Sequence, residues 1–274
     1  MFDSSLSSCG LFQNTFLNLE TLGFYWIAFF WIILGRYFLI AGGIHWLIYS
    51  ALRHHVVRRQ LRLKPPTRTS IQNDIELSIS STVLFAICSA VVMLAYHHGV
   101  TRLYTDIHTY GLRYLGVSFL AVLFLQDTYF YFIHRALHHP MVFKWLHQGH
   151  HHSGVPTPWT SFAFDPVEAL IQGLFFVGLV FIIPLHFITL IAVLMTMTLW
   201  AVITHLGIRL FPASSLYHWC GRWLIGSHHH LIHHRKHTRH YGLYFTFWDR
   251  ILGTHDPNYD HERHADSFLG ADIK

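Results

Sequence analysis

Apolar residues gather in four long blocks, and the polar stretches between them set where each block begins and ends. Residues 22–50 (LGFYWIAFFWIILGRYFLIAGGIHWLIYS) are interrupted only by Arg36 and His45. Residues 77–96 (LSISSTVLFAICSAVVMLAY) and 112–133 (LRYLGVSFLAVLFLQDTYFYFI) follow. Each meets the length of about 20 residues that a bilayer span requires. The fourth block, 169–204, is broken only by Pro184, and a proline disrupts a helix interior. At ~1.5 Å per residue each half is just long enough to cross, or nearly cross, as a tight hairpin. One long kinked helix plus an interfacial segment is the other arrangement this pattern allows. The blocks predict an all-α integral membrane helical bundle, with about four spanning helices or two spans plus hairpins.

The polar stretches orient the bundle. Residues 1–20 are rich in Ser and Asn and carry no basic n-region, so no cleavable signal peptide is expected. Arg53, Arg58, Arg59, Arg62, Lys64 and Arg68 crowd into the loop after the first block, and basic loops stay cytoplasmic. With that loop inside, the third block returns the chain to the cytoplasm near His134, and the hairpin returns it again near His205. The segments 134–168 and 205–274 then fold together as a cytoplasmic helical cap. With no repeat or flexible linker in view, residues 1–111 read as an N-terminal transmembrane region. Residues 112–274, which carry every dense histidine cluster, read as a second region, in one structural unit with the first.

Composition narrows the class. Of the 274 residues, 52% are hydrophobic and only 12% are charged, about half the share in ordinary soluble domains. Three dispersed cysteines (Cys9, Cys88, Cys220) exclude a disulfide framework and a cysteine-rich zinc site. The net charge of +5 comes largely from the one loop, so a nucleic-acid partner is not expected. Histidine is the outlier: 26 residues, against 19 Lys and Arg together.

Three histidine clusters repeat a spacing. His134 and His138 stand at i,i+4 in HRALHH; His147, His150 and His151 at i,i+3,i+4 in HQGHH; His230, His233 and His234 likewise in HLIHH. On a helix these intervals share a face, with Cβ atoms about 5–6 Å apart, and let two imidazoles converge on one metal ion. Eight such ligands, with His205 a ninth after the hairpin, suit a pair of ions rather than one. Among neighbours of the clusters, His229 is the strongest additional candidate. Scattered histidines such as His45, His97, His108 and His186 read as ordinary core or surface residues, and His237, His240 and His255 as solvated or interfacial. Imidazole suits Zn, Cu, Fe and Ni alike. The run His-Arg-Ala-Leu-His lacks the glutamate of a zinc peptidase, which weighs against hydrolysis. Asp127 lies two helical turns before His134 and is placed to accept the second N–H of a ligating imidazole. Asp249 in TFWDR reads either as such a support or as a salt-bridge partner of Arg250. Both are kept as catalytic candidates. Trp159, Phe162 and Phe164 are candidates for a lipid entrance.

HRALHH, HQGHHHS and HHLIHH, followed by YGLYFTFWDRILGT, resemble the fatty acid hydroxylase/sterol desaturase superfamily of membrane di-iron proteins over residues 120–256. VPTPWTSFAFDPVEALIQ is similar to its sterol C5-desaturase branch. The resemblance implies an O2-dependent lipid oxidoreductase that desaturates or hydroxylates a sterol or similar lipid. It implies two non-haem Fe ions, and electrons from a separate cytochrome b5-like or ferredoxin-type donor. The metal ligands it implies are His134, His138, His147, His150, His151, His230, His233 and His234, with His205 where the family has an intervening histidine. Arg209 stands where some hydroxylases add a further histidine, leaving His229 or His218 as substitutes. Asp165 replaces a usual histidine, and Arg239-His240 an expected asparagine. A fatty acyl or sphingoid hydroxylase of the same superfamily is the nearest alternative. A histidine-lined metal transporter and a bis-histidine haem carrier are the alternatives of other classes. The membrane is the endoplasmic reticulum or a bacterial inner membrane.

Overall fold

A computed structural model describes residues 5–56, 61, 66–208 and 222–259, with side chains from residue 19 onward. Arg58, Arg59, Arg62, Lys64, Arg209 and His218 lie outside the described residues. Helix α1 (Ser5–Tyr37) continues without a break through a π-turn (Phe38–Gly42), one α-turn (Gly43–Trp46) and a second π-turn (Leu47–Ala51). A short α2 (Arg53–Val56) follows. The long helices after it are α3 (Arg68–His97) and α4 (Gly111–Leu137), then α7 (Pro166–Ile182) and α8 (Phe187–Thr204). Between α4 and α7 lie the short α5 (Pro140–Leu146), α6 (Gln148–His151) and a 3-10 turn (Pro158–Phe162). Helices α9 (Ser227–Lys236) and α10 (Phe247–Ile251) complete the described cap. Among the described residues, four stretches are long and apolar enough to cross a membrane: Leu19–Ala51, Arg68–His97, Gly111–Leu137 and Phe187–Thr204.

The fourth apolar block is a hairpin, not a kinked helix. Ile183 is extended (φ −109°, ψ 127°), the conformation a following proline favours, and α7 stops there. Two residues later the chain forms β2 (Leu185–His186), which pairs in parallel with β1 (Leu103–Tyr104) from the α3–α4 connection. The two loops on one end of the bundle are thereby tied together. The histidine clusters all lie at the other end, where α4 and α8 finish and α3 and α7 begin.

Helix α1 packs on α3, α3 on α7, and α4 on α8. A core of Val92, Val122, Leu123, Leu179, Val180 and Val193 joins α3, α4, α7 and α8, while Phe24, Trp31, Leu39, Leu120, Ile182 and Ile191 remain exposed on the outer surface. In lipid, apolar area alone does not drive helices together, so close packing and polar contacts must hold them. Helix α3 supplies those contacts. Asp74, Ser78 and Ser81 recur at helical spacing along its buried side. Asp74 accepts from Ser153 Oγ and Thr160 Oγ1, both at 2.7 Å. Ser78 donates to the Trp159 carbonyl, and Ser81 both donates to and accepts from the Phe164 backbone. The N-terminal region therefore grips the 153–164 segment, and that segment frames the histidines.

Candidate metal centre

The ends of α4 and α8 and the short α6 and α9 converge on two adjacent sets of imidazoles. One set is His134, His138, His147, His151 and His233; the other is His150, His205, His230 and His234. Each HxxHH triplet divides between them. At α6, His147, which caps its start, and His151 join the first set and His150 the second. On α9, His230 and His234 join the second and His233 the first. The i,i+4 pair thus shares a set, and the residue between them crosses to the other.

In the first set the Nε2 atoms approach one another in series. The distances are His134–His147 3.0 Å, His147–His151 3.2 Å, His151–His233 3.1 Å and His233–His138 3.1 Å. In the second, His205–His230 stand at 2.9 Å and His230–His234 at 3.1 Å. The ring of His150 lies 4.9 Å from that of His234. The sets adjoin through His151 and His234, whose ring centres are 4.5 Å apart.

The opposite ring nitrogens decide what these approaches mean. His134 Nδ1 faces the Tyr241 carbonyl at 3.0 Å, His150 Nδ1 that of Ala163 at 3.1 Å, His205 Nδ1 that of Ala201 at 2.6 Å and His233 Nδ1 that of Arg239 at 2.8 Å. His147 Nδ1 faces Glu168 Oε2 at 2.8 Å. Carbonyls only accept, so the Nδ1 atoms of His134, His150, His205 and His233 carry the protons and their Nε2 atoms present bare lone pairs. Bare lone pairs repel at such distances unless a cation lies among them. With metal–nitrogen bonds of about 2.0–2.1 Å, neighbouring ligand atoms sit ~3.0–3.4 Å apart, which matches the spacing found. Outward donation from a ligating imidazole is also the usual support of a metal ligand. The donor set fits two metal ions.

Burial prepares the rings for this. It pushes His150 down to about 4 and His205 to about 3, and it holds His147, His230, His233 and His234 well below the usual histidine range. For His147, His205, His230, His233 and His234, repulsion between neighbouring imidazoles adds to the same direction. All are neutral near pH 7, so no proton competes for the lone pair.

His229 is not brought to either set. It groups with His240 and His255, and its ring stacks on Tyr259 at 3.8 Å. Here the outward nitrogens accept instead. Gly226 N–H donates to His229 Nδ1, Asp256 N–H to His240 Nε2, and the Arg250 guanidinium to His255 Nε2. That polarity is opposite to the support a metal ligand needs. The helical turn explains the placement: His229 precedes His230 by one residue and points about 100° away around α9. His240, read from sequence as solvated or interfacial, is fully buried.

The two carboxylates also differ from expectation. Asp127 does not reach an imidazole, because the Tyr241 carbonyl already takes the His134 proton. Its Oδ1 accepts instead from the backbone N–H groups of Leu243, Tyr244 and Phe245. Asp249 accepts from Tyr241 N–H, Gly242 N–H and Thr254 Oγ1. No ion pair joins it to Arg250, which donates to Thr246 Oγ1 and the Arg222 carbonyl. Together the two aspartates hold the 241–245 segment whose carbonyl orients His134. Gly242 is required in that clamp, since a Cβ there would lie 2.4 Å from the Phe245 carbonyl oxygen.

Asp165 also serves the backbone: its Oδ2 accepts from Gly149 N–H at 2.8 Å and fixes the start of α6. Phe164 lies flat against the His150 ring (5.4 Å, 12°), whereas Phe162 and Trp159 pack on Tyr37. Glu168 went unnoticed in the sequence. An acid in the first turn of an apolar helix looks like a routine partner of the helix dipole, and only the fold brings His147 to it.

Residues 119–254 match the sequence profile of the fatty acid hydroxylase family. Human (Homo sapiens) lathosterol oxidase is 32% identical over 209 residues, covering 75% of this chain and 68% of the relative. The Mus musculus lathosterol oxidase is 31% identical over 256 residues, covering 93% of this chain and 76% of its own length. A Delta(7)-sterol 5(6)-desaturase of Gibberella zeae is 30% identical over 212 residues, covering 77% and 64%. No solved structure matches the chain. With four apolar helices, buried histidine sets and these likenesses together, the chain belongs to the fatty acid hydroxylase family, in its sterol desaturase branch, as a membrane lipid oxidoreductase.

Proposed function

We propose that this chain holds two iron ions and desaturates a Δ7-sterol-like lipid at the cytoplasmic face of its membrane. O2 is the co-substrate, and a separate cytochrome b5-like or ferredoxin-type protein is the electron donor. The observation that carries this reading is the convergence of nine imidazoles in two sets, with the Nδ1 atoms of His134, His150, His205 and His233 turned to backbone carbonyls so that their Nε2 lone pairs face inward. His134, His138, His147, His151 and His233 would hold one ion, and His150, His205, His230 and His234 the other. Bound there, iron supplies the reduction of O2 coupled to removal of hydrogen from an unactivated C–H bond.

The protein's own part is positional. Carbonyls of Tyr241, Ala163, Ala201 and Arg239 lock the rings, and Asp127 and Asp249 lock the segment that carries the first of them. Burial of eight of the nine imidazoles keeps bulk water from the ligand atoms. The basic residues Arg53 and Arg68, at the histidine end, support the cytoplasmic orientation.

The test is conversion in a defined mixture: purified protein loaded with ferrous iron, a reductase with cytochrome b5, O2 and lathosterol in detergent. Loss of two hydrogens from the sterol supports desaturation. Gain of one oxygen supports hydroxylation, the second reading, which the family's fatty acid hydroxylase profile favours. Iron-loaded protein that consumes no O2 with either a sterol or a fatty acyl lipid would overturn both.

A further inference from the structure

The two histidine sets differ in what stands behind them. In the four-histidine set, His150 and His205 donate their outward protons to the neutral backbone carbonyls of Ala163 and Ala201. In the five-histidine set, His134 and His233 do the same, but His147 Nδ1 faces a carboxyl group, Glu168 Oε2 at 2.8 Å. His147 is 1% and Glu168 0% exposed, and Glu168 Oε1 has no hydrogen-bond partner among the described residues. An enclosed carboxylate is costly unless an opposite charge faces it. No lysine or arginine does so among the described residues. The neighbour available to compensate it is a metal dication reached through the His147 ring.

We propose that Glu168 is a positioning residue that makes the two metal positions unequal. By drawing on the Nδ1–H of His147, it strengthens the Nε2 lone pair toward the metal. The five-histidine position therefore fills first and empties last. This rests on the reading that both sets hold metal, and the experiment separates the two.

Ferrous iron is titrated anaerobically into the full-length apo-protein in detergent against a chromogenic competing chelator, giving two dissociation constants for the wild type. Glu168→Gln keeps the side chain's shape and an acceptor oxygen but removes its charge. The tighter constant is expected to weaken ~10–100-fold, with the looser one unchanged. His205→Ala is expected to abolish the looser constant and leave the tighter in place. Unchanged constants in Glu168→Gln, or loosening of the weaker position instead, would overturn the role of Glu168. Should Glu168→Gln fail to fold, by circular dichroism and gel filtration, His205→Ala decides alone. A single ion held as weakly as the wild type's looser one overturns the proposal. Absence of bound iron in the wild type would sink the two-metal reading as well.

Discussion

The Tyr241 carbonyl accepts the Nδ1–H of His134 at 3.0 Å, and Tyr241's own N–H is held by Asp249 Oδ1 at 2.8 Å. One peptide segment thus connects a carboxylate held by Tyr241, Gly242 and Thr254 to the orientation of a ring at the centre of the site. Replacing Asp249 by Ala strips the acceptor from three donors at once, those of Tyr241, Gly242 and Thr254. Each buried donor left unmatched costs about 1–3 kcal/mol. Asp249→Ala should lower the melting temperature in detergent and reduce retained metal. Gly242→Ala should do the same through its clash. A variant with full metal content and wild-type melting would remove the clamp from the account.

Metal stoichiometry separates the histidines that the sequence grouped together. His150→Ala should lose one of the two ions, whereas His229→Ala should keep both, because His229 stands with His240 and His255. Elemental analysis of the two purified variants beside the wild type gives the answer. Loss of an ion from His229→Ala alone would reverse the assignment.

Acid should destabilise the metal-free protein in a definite window. Burial lowers His150 to about 4 and His205 to about 3 in the folded chain, while an exposed imidazole titrates near ~6.5. Between those values the unfolded chain binds more protons than the folded one, so stability falls as pH drops from about 6.5 toward 4. Above about 7 the histidines contribute no slope. Thermal unfolding of apo-protein across that range tests this, and a flat profile below pH 6.5 would contradict it.

Asp74 should matter out of proportion to its distance from the imidazoles. Its two oxygens take the hydroxyl protons of Ser153 and Thr160, which lie in the segment that runs on to Ala163 and Phe164. Asp74→Leu should loosen that segment, seen as faster proteolysis between 152 and 165 and weaker metal retention. Asp74→Asn, which keeps one acceptor, should fall between. Equal behaviour of both variants and the wild type would show that the segment is held elsewhere.

The sequence made the histidine spacings and the apolar blocks legible because both are periodic along the chain. HxxHH announces a shared helical face whatever the fold, and blocks of apolar residues announce spans. It did not reveal how each triplet divides between two sets, since that depends on where α6 and α9 face each other. Nor did it give Asp127 its true partner. Counting two turns from Asp127 to His134 was correct, but the 243–245 backbone, more than a hundred residues away in the chain, arrives at that carboxylate first. The Ser78–Ser81 side of α3 was similarly hidden, because serine is common inside apolar helices and its inward role needs the 153–164 segment to be seen beside it.

The inward polar side of α3 also has a meaning during synthesis. Asp74 precedes Ser153 by 79 residues and Thr160 by 86. At ~5–20 residues per second the ribosome takes roughly 4–17 s to make them. Through that interval the two hydroxyls that Asp74 binds in the folded protein have yet to be made. The last histidines, on α9, emerge later still. The nascent protein therefore cannot enclose metal until nearly all of its membrane helices are already assembled.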